Sequence, residues 1–437
     1  MALTGTSVIE INTSALAADT NGGAFDSTLA GSTGVDYTFG AGAQVVNVSV
    51  SGNGTATLTI TSGSVSSTVL GNAINVPGQG VWIITAYTST TLTVNTTNGT
   101  PGTFASTASF IGGPWKTLDQ WASLYATQGN NQVVNLKYGT YVPASALVFE
   151  NGNNSLVLLG YYQTRGDLSS GVNPQYRPTI QASSSIGSSY LMTAGNGNNF
   201  GTVQNVILDG NGYATPLLQG GTYYNNRYQN TSASYPAEGA FDLESEYYNL
   251  SASSLYVGNT HLFGCLIYKC GQFYINGSAL HRCLIIAGLT NGVYAGGPSE
   301  ISSCTIFGCS GSAIATNPQY GVVSNNLIYG NTSPSSLSTG GASPDAILIN
   351  NCATDQPISG GIQRGIVTLT ADPFANSGAA ITYLRDALAA FALNNVAGGG
   401  ALCRGAGTPQ YLDIGAVQSQ AGGGGGVPRI VVPRRIW

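Results

Sequence analysis

Three carboxylates fall within nine residues of the chain and could act as acids or bases. Asp242, Glu244 and Glu246 occupy alternate positions in the run FDLESEYYN, residues 241–249. Successive side chains of an extended strand point to opposite faces, so this spacing predicts all three carboxylates on one face. Two carboxylates at a suitable separation can hydrolyse a glycosidic bond. A solvated acidic loop or a contact between subunits is the alternative interpretation.

Tyrosines surround this acidic cluster and could stack against sugar rings. The stretch 210–259 holds eight of the 24 tyrosines of the chain and lacks an obvious repeat, which predicts a long loop or lateral insertion. We expect a carbohydrate-binding or partner-binding surface to include Tyr223, Tyr224, Tyr228, Tyr247 and Tyr248.

The element that must position these side chains is indicated by a short pattern that occurs four times between residues 262 and 329. The copies read LFGCLIY, LHRCLII, ISSCTIF and VSNNLIY, and their shared landmark is Cys265, Cys283, Cys304 and Asn326. Periods of 18 to 22 residues built on short strands predict a solenoid whose coils stack to bury a common core. We interpret the cysteines as small, reduced residues of this core, with disulfide bonds as the main alternative.

Composition limits the classes of function that the chain can have. Only 7% of its 437 residues are charged and its net charge is −5, which argues against broad electrostatic binding of nucleic acid. No apolar run reaches the length of a membrane span, and the N-terminal sequence does not resemble a secretion signal. No metal site and no cofactor are predicted, because there are only two histidines, no CxxC pair and no phosphate-binding loop.

The pattern along the chain predicts an all-β protein with five segments. Short alternating strands broken by Gly and Asn indicate a small antiparallel β module, and the run from Thr117 to Gln120 has the form of a helix capping box. The predicted segments are an irregular N-terminal arm at 1–25, the β module at 26–113, a parallel β-helix at 114–371 with a capping helix at 117–127 and the insertion at 210–259, a C-terminal helix and closing segment at 372–420, and a glycine tether with a tail at 421–437.

The tail is a second candidate for function. A run of glycines precedes VPRIVVPRRIW, in which apolar residues alternate with arginines. Such a segment could add as a strand to the sheet edge of a partner subunit, although it could also pack on its own chain. The residues expected to dock are Val427, Arg429, Ile430, Val432, Arg434, Arg435 and Trp437.

Three parts of the sequence resemble known proteins. The repeated coils resemble right-handed parallel β-helix proteins of the pectate-lyase-like kind. The segment 393–418 resembles the closing motif of β-helix proteins found in tailed bacteriophages and environmental bacteria, and the segment from FDSTLAGSTG to TTLTVNTT resembles the β module that often precedes such helices in phages. The resemblance implies a right-handed parallel β-helix solenoid with capping helices, and it supplies no catalytic residues.

These observations favour a non-enzymatic structural or adhesive virion protein of a tailed phage, such as a fibre, a spike or a capsid-decorating component. We expect it to be made in the host cytoplasm, to form a homo-oligomer (a trimer by analogy), and to contact other virion subunits and a host surface glycan. Two alternatives stay open. One is a tailspike-like polysaccharide hydrolase or lyase that uses the acidic cluster, and the other is a subunit of a bacterial surface filament, with an extracellular location.

Overall fold

The structure is a computed structural model that forms two compact units, each described separately below. Unit 1 comprises residues 1–183 and 193–206, and unit 2 comprises 184–192 and 207–437. The described residues are 7–13, 17, 44–149, 156–407 and 413–417, less internal gaps at 53, 71–72, 77, 97–98, 113–114, 129–131, 164, 169–172, 185, 188, 195–200, 239–240, 252–253, 259, 317–320, 334–336 and 339–346. No helix within these residues is long and apolar enough to cross a membrane.

Unit 1 contains a closed antiparallel barrel. Alternate residues such as Val46, Val48 and Leu92 point inward and are fully buried, as expected of short strands with one apolar face. The predicted antiparallel β module is therefore present, and it ends at Gly112, next to the predicted boundary. Its strands are Gln44–Val50, Thr57–Ser62, Ala73–Val76, Gly80–Tyr87, Thr91–Val94 and Phe104–Gly112, with a 3-10 turn at Ser67–Val69.

Parallel strands make up most of the rest of unit 1. The N-terminal strand Ser7–Ile11 pairs in parallel with Gln132–Lys137, so the prediction of an irregular arm is wrong for these residues. The cause is the alternation in SVIEI, which buries Ile9 and Ile11. The other strands are Thr140–Tyr141, Leu147–Val148, Leu156–Tyr161, Thr179–Gln181 and Thr202–Gln204, with Met192–Thr193 at the unit boundary and a 3-10 turn at Pro174–Tyr176.

Helix α1, Leu118–Gln128, lies where the capping helix was predicted. The backbone N–H of Gln120 donates to Thr117 Oγ1 over 3.3 Å, which is half of a capping box. Trp121 is fully buried and stacks on Phe149 with 4.0 Å between ring centroids. The helix thus covers apolar side chains of the neighbouring strands.

Unit 2 is a stack of coils with three faces, and strands pair in parallel with their equivalents in the next coil, except that face 3 is divided into two sheets between Ala237–Glu238 and Ser254–Gly258. Leu266, for example, is in register with Leu284, and Leu262 with Leu280. Face 1 consists of Thr222–Tyr224, Phe241–Leu243, His261–Phe263, Ala279–His281, Ser299–Ser302, Gly321–Ser324, Ile347–Asn350 and Ile362–Arg364. Face 2 consists of Ile207–Asp209, Arg227–Gln229, Glu246–Tyr248, Leu266–Tyr268, Leu284–Ile286, Thr305–Phe307, Leu327–Tyr329, Ala353–Thr354 and Val367–Thr368. Face 3 consists of Leu218–Gln219, Ala237–Glu238, Ser254–Gly258, Gln272–Asn276, Val293–Ala295, Ile314–Thr316 and Leu337–Ser338. The prediction of an all-β parallel β-helix is confirmed by these ladders.

The stretch 210–259 is part of the stack, so the prediction of a lateral insertion is wrong. Tyr223 pairs with Asp242, and Asp242 pairs with Leu262 in the first of the Cys-containing coils. The backbone repeat therefore continues through this stretch, while tyrosine, asparagine and acidic residues replace the Leu, Ile and Cys that make the later repeats visible.

A residue in the left-handed αL conformation turns the chain from face 1 to face 2 in each coil of this stretch. Asn225, Glu244 and Gly264 hold this position in three successive coils, with φ of 52°, 54° and 67°. Asparagine and glycine tolerate this conformation well, whereas glutamate does so at a cost. The landmark residue follows at once, and the same row includes Asn226, Ser245, Cys265, Cys283, Cys304, Asn326 and Cys352.

The C-terminal segment from about residue 369 to residue 417 covers the outer side of face 2. Helix α2, Leu384–Ala390, and helix α3, Gly400–Cys403, belong to this segment. Its apolar side chains form one buried cluster with the outward residues of face 2, such as Leu266, Leu284 and Leu327. Face 2 is therefore buried on both sides, which explains why apolar residues recur at both the inward and the outward positions of its strands.

Candidate functional site

The structure separates the three carboxylates of the predicted acidic cluster. Asp242 points into the interior of the coil and is fully buried. The Tyr247 hydroxyl donates to its Oδ2 over 2.6 Å, and burial raises the pKa of Asp242 from 3.8 to about 6. A side chain enclosed in this way cannot reach a polymeric substrate outside the coil.

Glu246 points away from the interior but lies beneath the C-terminal segment. Its Oε1 accepts the backbone N–H of Leu384 over 2.7 Å, and its Oε2 lies 3.5 Å from Arg227 Nη1. The same Arg227 nitrogen donates to the carbonyl oxygen of Thr382 over 2.8 Å. Glu246 therefore anchors helix α2 to face 2 as a structural residue.

Glu244 sits at the corner between these two strands, and its αL backbone explains why the alternation argument fails. The rule that alternate residues share a face applies only to a continuous extended segment. Here the chain turns at Glu244, so Asp242 and Glu246 belong to different faces of the coil. The prediction that the three carboxylates share one face is wrong.

Most of the tyrosines predicted to form a surface are also in the interior or covered. Tyr223, Tyr228 and Tyr247 are fully buried inside the coils, and the last two rings lie 4.8 Å apart. Tyr248 donates its hydroxyl to the carbonyl oxygen of Ile381 and is covered by the C-terminal segment. Tyr224, on the outward side of face 1, remains half-buried. The predicted surface is corrected accordingly, because the aromatic side chains fill a wide interior.

The landmark cysteines and asparagine stack in the interior at the corner. All seven cysteines are free, buried thiols. Burial raises the pKa of the Cys309 and Cys352 thiols to about 11, so both stay protonated at neutral pH. Asn326 takes the place of a cysteine and uses its amide to accept from the Cys304 N–H and to donate to the carbonyl oxygen of Ile301. This row stabilises the corner and offers no reactive group to solvent.

The strongest candidate for a binding surface is a column of tyrosines on the outward side of face 3, here called the tyrosine ladder. Tyr235, Tyr256, Tyr274 and Tyr294 come from four successive coils and are half-buried or exposed. Successive ring centroids are 5.2, 4.6 and 5.2 Å apart. The rings thus follow one another along the coil axis, with the first and third pairs stacked and the Tyr256–Tyr274 pair tilted by 46°.

Uncharged polar side chains accompany the tyrosine ladder. Gln272 and Asn276 belong to the same strand as Tyr274, and Asn276 is exposed. Glu238 lies at the end of the ladder that is closer to the N-terminus, where it accepts the Tyr190 hydroxyl over 2.9 Å. Burial, together with this hydrogen bond, raises the pKa of Tyr190 above its ordinary value. The surface combines aromatic rings, hydroxyls and amides with one carboxylate at its edge.

Sequence reasoning missed the tyrosine ladder although a signal was present. Tyr256, Tyr274 and Tyr294 are separated by 18 and 20 residues, close to the 18 and 21 that separate Cys265, Cys283 and Cys304. A residue type that repeats with the period of the coil must form a column on the surface or in the core. Proximity in the sequence instead places Tyr256 in the stretch 210–259 and separates it from Tyr274 and Tyr294.

Face 1 brings His281 near a serine and a glutamate, but the geometry does not suit nucleophilic catalysis. His281 Nδ1 lies 2.5 Å from Ser302 Oγ and 3.8 Å from Glu300 Oε1. A catalytic histidine uses one ring nitrogen for the nucleophile and the other for the carboxylate. Because both partners face the same nitrogen, this group is a surface hydrogen-bond network, in which burial lowers the pKa of His281. Across the described residues no three His, Cys, Asp or Glu side chains are placed to hold a metal ion.

Comparison with known proteins finds partial similarity to solved structures only. No protein-family model and no curated protein matches the chain. Among solved structures, it is similar to ORF18 of Geobacillus virus E2 at 13% identity, over 58% of this chain and 57% of that chain, with a TM-score of 0.36. It is similar to pectate lyase Pel9A at 13% identity, over 70% and 92% of the two chains, with a TM-score of 0.37. The tailspike protein gp49 from Pseudomonas phage LKA1 matches at 10% identity, over 76% and 64%, with a TM-score of 0.25.

The chain thus spans 57% of the Geobacillus virus protein and 64% of the tailspike protein. Its assignment as a parallel β-helix protein rests on the parallel ladders of its own coils.

Proposed function

We propose that this chain is a non-enzymatic, adhesive component of a tailed-phage virion, in which the β-helix presents the tyrosine ladder to a surface glycan. The observation that carries the proposal is the ladder itself, four tyrosines in successive coils on a face with few charges. The closing motif at 393–418 and the N-terminal β module, which resemble segments of phage β-helix proteins, support the virion setting.

The chemistry of the ladder suits a neutral polyhydroxyl ligand. Aromatic side chains offer apolar surface with a polar tip, and they lose little conformational freedom on binding because they have few rotatable bonds. Gln272 and Asn276 can donate to and accept from sugar hydroxyls. In contrast, the carboxylates Asp242 and Glu246 of the acidic cluster are buried in structural contacts.

Tyr274→Ala is expected to weaken glycan binding about tenfold or more, since an aromatic residue at the centre of a binding surface typically contributes over 1 kcal/mol. The measurement is binding of the full chain to an array of defined bacterial surface glycans, followed by titration of each positive glycan. Tyr213→Ala is the matched control, because Tyr213 is a 40% exposed tyrosine outside the ladder. Equal binding by wild type and Tyr274→Ala would count against the proposal.

The rival function, hydrolysis of a polysaccharide, is tested on the same glycans. Glu238 is the carboxylate that lies beside the ladder, and hydrolysis ordinarily requires a second one. Release of new reducing ends by the wild-type chain, lost in Glu238→Gln, would replace the adhesive proposal by an enzymatic one.

The tail forms the second part of the proposal, and residues 418–437 lie outside the described residues. We propose that it docks the protein to its particle by adding to a sheet edge of another subunit. Deleting residues 422–437 is then expected to abolish incorporation into particles while the circular dichroism spectrum stays unchanged. A Gly/Ser tail of equal length serves as control, and normal incorporation of the deletion variant would refute the docking role.

The oligomeric state belongs to the same proposal. A closed homo-trimer fits a virion spike or fibre, whereas an open filament would follow from head-to-tail addition of the tail and would favour the bacterial surface alternative. Light scattering of the purified chain distinguishes a monomer, a closed trimer and a filament.

A further inference from the structure

The tyrosine ladder ends abruptly at Tyr294. Its ring stacks on Tyr274 with 5.2 Å between centroids and 19° between planes. On its other side, the residue in register in the next coil is Ala315, and Ser338 follows in the coil after that. Along this column a methyl group thus occupies the position where another ring would continue the ladder.

The drop in height from the Tyr294 ring to the Ala315 methyl group, here called the step, has the dimensions of one ring. Neighbouring parallel strands lie about 4.8 Å apart, which is also a normal distance between stacked aromatic rings. The three ring pairs of the ladder, two stacked and one tilted, show a similar spacing, between 4.6 and 5.2 Å. A flat ligand ring placed over Ala315 would therefore contact the side of Tyr294 that faces Ala315, as Tyr274 contacts the other side.

Two glycines let polar groups pack against the backbone that follows Tyr294. A Cβ atom at Gly296 would overlap the Tyr274 hydroxyl, and one at Gly297 would overlap Asn276 Oδ1. The absence of side chains at these positions lets the hydroxyl and the amide pack directly against the backbone that follows Tyr294. These two polar groups thus lie against the segment of chain that follows Tyr294, which forms one side of the step.

We infer that this step, formed by Tyr294 and Ala315, is the principal subsite of the ladder and takes one neutral pyranose ring. The apolar C–H face of the sugar lies on the side of the Tyr294 ring that faces Ala315, and the sugar hydroxyls face polar side chains of the ladder. The inference rests on the proposed glycan-binding function and adds the place and the class of the residue bound. A neutral sugar is favoured because the described outward side chains around the step, at Tyr274, Asn276, Tyr294 and Ala315, carry no charge.

The test is to fill the step. Ala315→Tyr would extend the ladder by one ring and is expected to reduce binding at least tenfold, whereas Ala315→Ser should stay within about twofold of wild type. Tyr294→Phe keeps the stacking face and should retain most of the binding, whereas Tyr294→Ala should lose it. The probes are the methyl glycosides of glucose, galactose, mannose and N-acetylglucosamine, observed by saturation-transfer NMR on the full chain, and the positive glycans of the array.

The outcomes separate this inference from the proposed function. If Tyr274→Ala loses array binding while Ala315→Tyr keeps it, glycan binding stands and the subsite is refuted. If the wild-type chain binds none of the glycosides and none of the array glycans, both are refuted. A signal that appears only after residues 418–437 are deleted would show that the tail occupies the step, which also overturns the inference. Unchanged circular dichroism and thermal unfolding of each variant verify that the fold is intact.

Discussion

Replacing Glu246 by alanine is expected to destabilise the docking of the C-terminal segment by about 3–5 kcal/mol, the usual effect of removing one partner of a buried ion pair. Glu246 and Arg227 are 1% and 8% exposed at their side chains. Loss of the carboxylate would leave the Arg227 guanidinium buried without its counter-charge and the Leu384 N–H without its acceptor. Both effects act on the first turn of helix α2.

The contacts around Arg227 explain why the effect should be concentrated in this segment. Its guanidinium lies 3.8 Å from the centre of the Tyr248 ring on face 2 and donates to the carbonyl oxygen of Thr382 in the C-terminal segment. Arg227, Tyr248 and Glu246 therefore form one joint between the segment and the coils. Removing the carboxylate weakens the joint without opening a cavity in the interior of the coils.

The reactivity of Cys403 measures locally how often the C-terminal segment detaches from face 2. Cys403 is buried in the C-terminal segment, whereas Cys283 and Cys304 are buried at the corner of the coils. In Glu246→Ala, the labelling rate of Cys403 by a thiol reagent should rise by about 10² to 4 × 10³-fold, because each 1.4 kcal/mol of opening free energy is a factor of ten. The labelling of Cys283 and Cys304 should change much less.

Arg385→Ala is the matched control for this experiment. Arg385 pairs with Asp386 on the same helix, but the two side chains are 45% and 33% exposed, so their pair should contribute less than about 1 kcal/mol. If Glu246→Ala and Arg385→Ala change the labelling of Cys403 equally little, the anchoring role of Glu246 is incorrect.

The sequence predicted the coil architecture because its later coils repeat both their backbone and their side chains. Cys265, Cys283 and Cys304 recur with Leu or Ile on either side, so the period is visible. In the stretch 210–259 only the backbone repeats, and tyrosines fill the interior in place of leucine and isoleucine. A search for repeated residue types could not detect a repeat that exists in conformation alone.

The candidate site was predicted less well than the fold, for two physical reasons. The alternation of Asp242, Glu244 and Glu246 assumes an extended strand, whereas a single αL residue at the centre ends that strand. In addition, the partner of Glu246 is 138 residues away in the sequence, at Leu384, and no local pattern reports such a contact. The tyrosine ladder was partly predictable, because the sequence shows its period but not that the side chains point outward.

The stability of unit 2 is expected to fall as the pH rises from about 4 to about 7, because Asp242 holds its proton more tightly in the folded state. Burial raises the pKa of this carboxyl group from 3.8 to about 6. Between these values the folded protein binds more protons than the unfolded chain, so the free energy of unfolding decreases with increasing pH. A shift of about two pKa units corresponds to a loss of about 3 kcal/mol, complete once the pH is well above 6.

Asp242→Asn isolates this effect from all other titrating groups. The amide oxygen can accept the Tyr247 hydroxyl as the carboxylate does, but the side chain carries no charge. Unfolding in urea can be monitored by the reaction of the seven buried thiols with dithiodipyridine. The urea midpoint measured in this way should be similar for variant and wild type at pH 4. The free energy of unfolding of the variant minus that of the wild type should be about 3 kcal/mol larger at pH 7.5 than at pH 4.

Tyr247→Phe provides the complementary variant, because it removes the hydroxyl that donates to the Asp242 carboxylate and favours its charged form. The pKa of Asp242 in the folded state should then rise above that of the wild type, and the loss of stability should extend to higher pH. If the difference in the free energy of unfolding between wild type and Asp242→Asn does not change with pH, Asp242 has its ordinary pKa. In that case water must reach the carboxylate, and the interior of these coils would be open enough to solvate a charge.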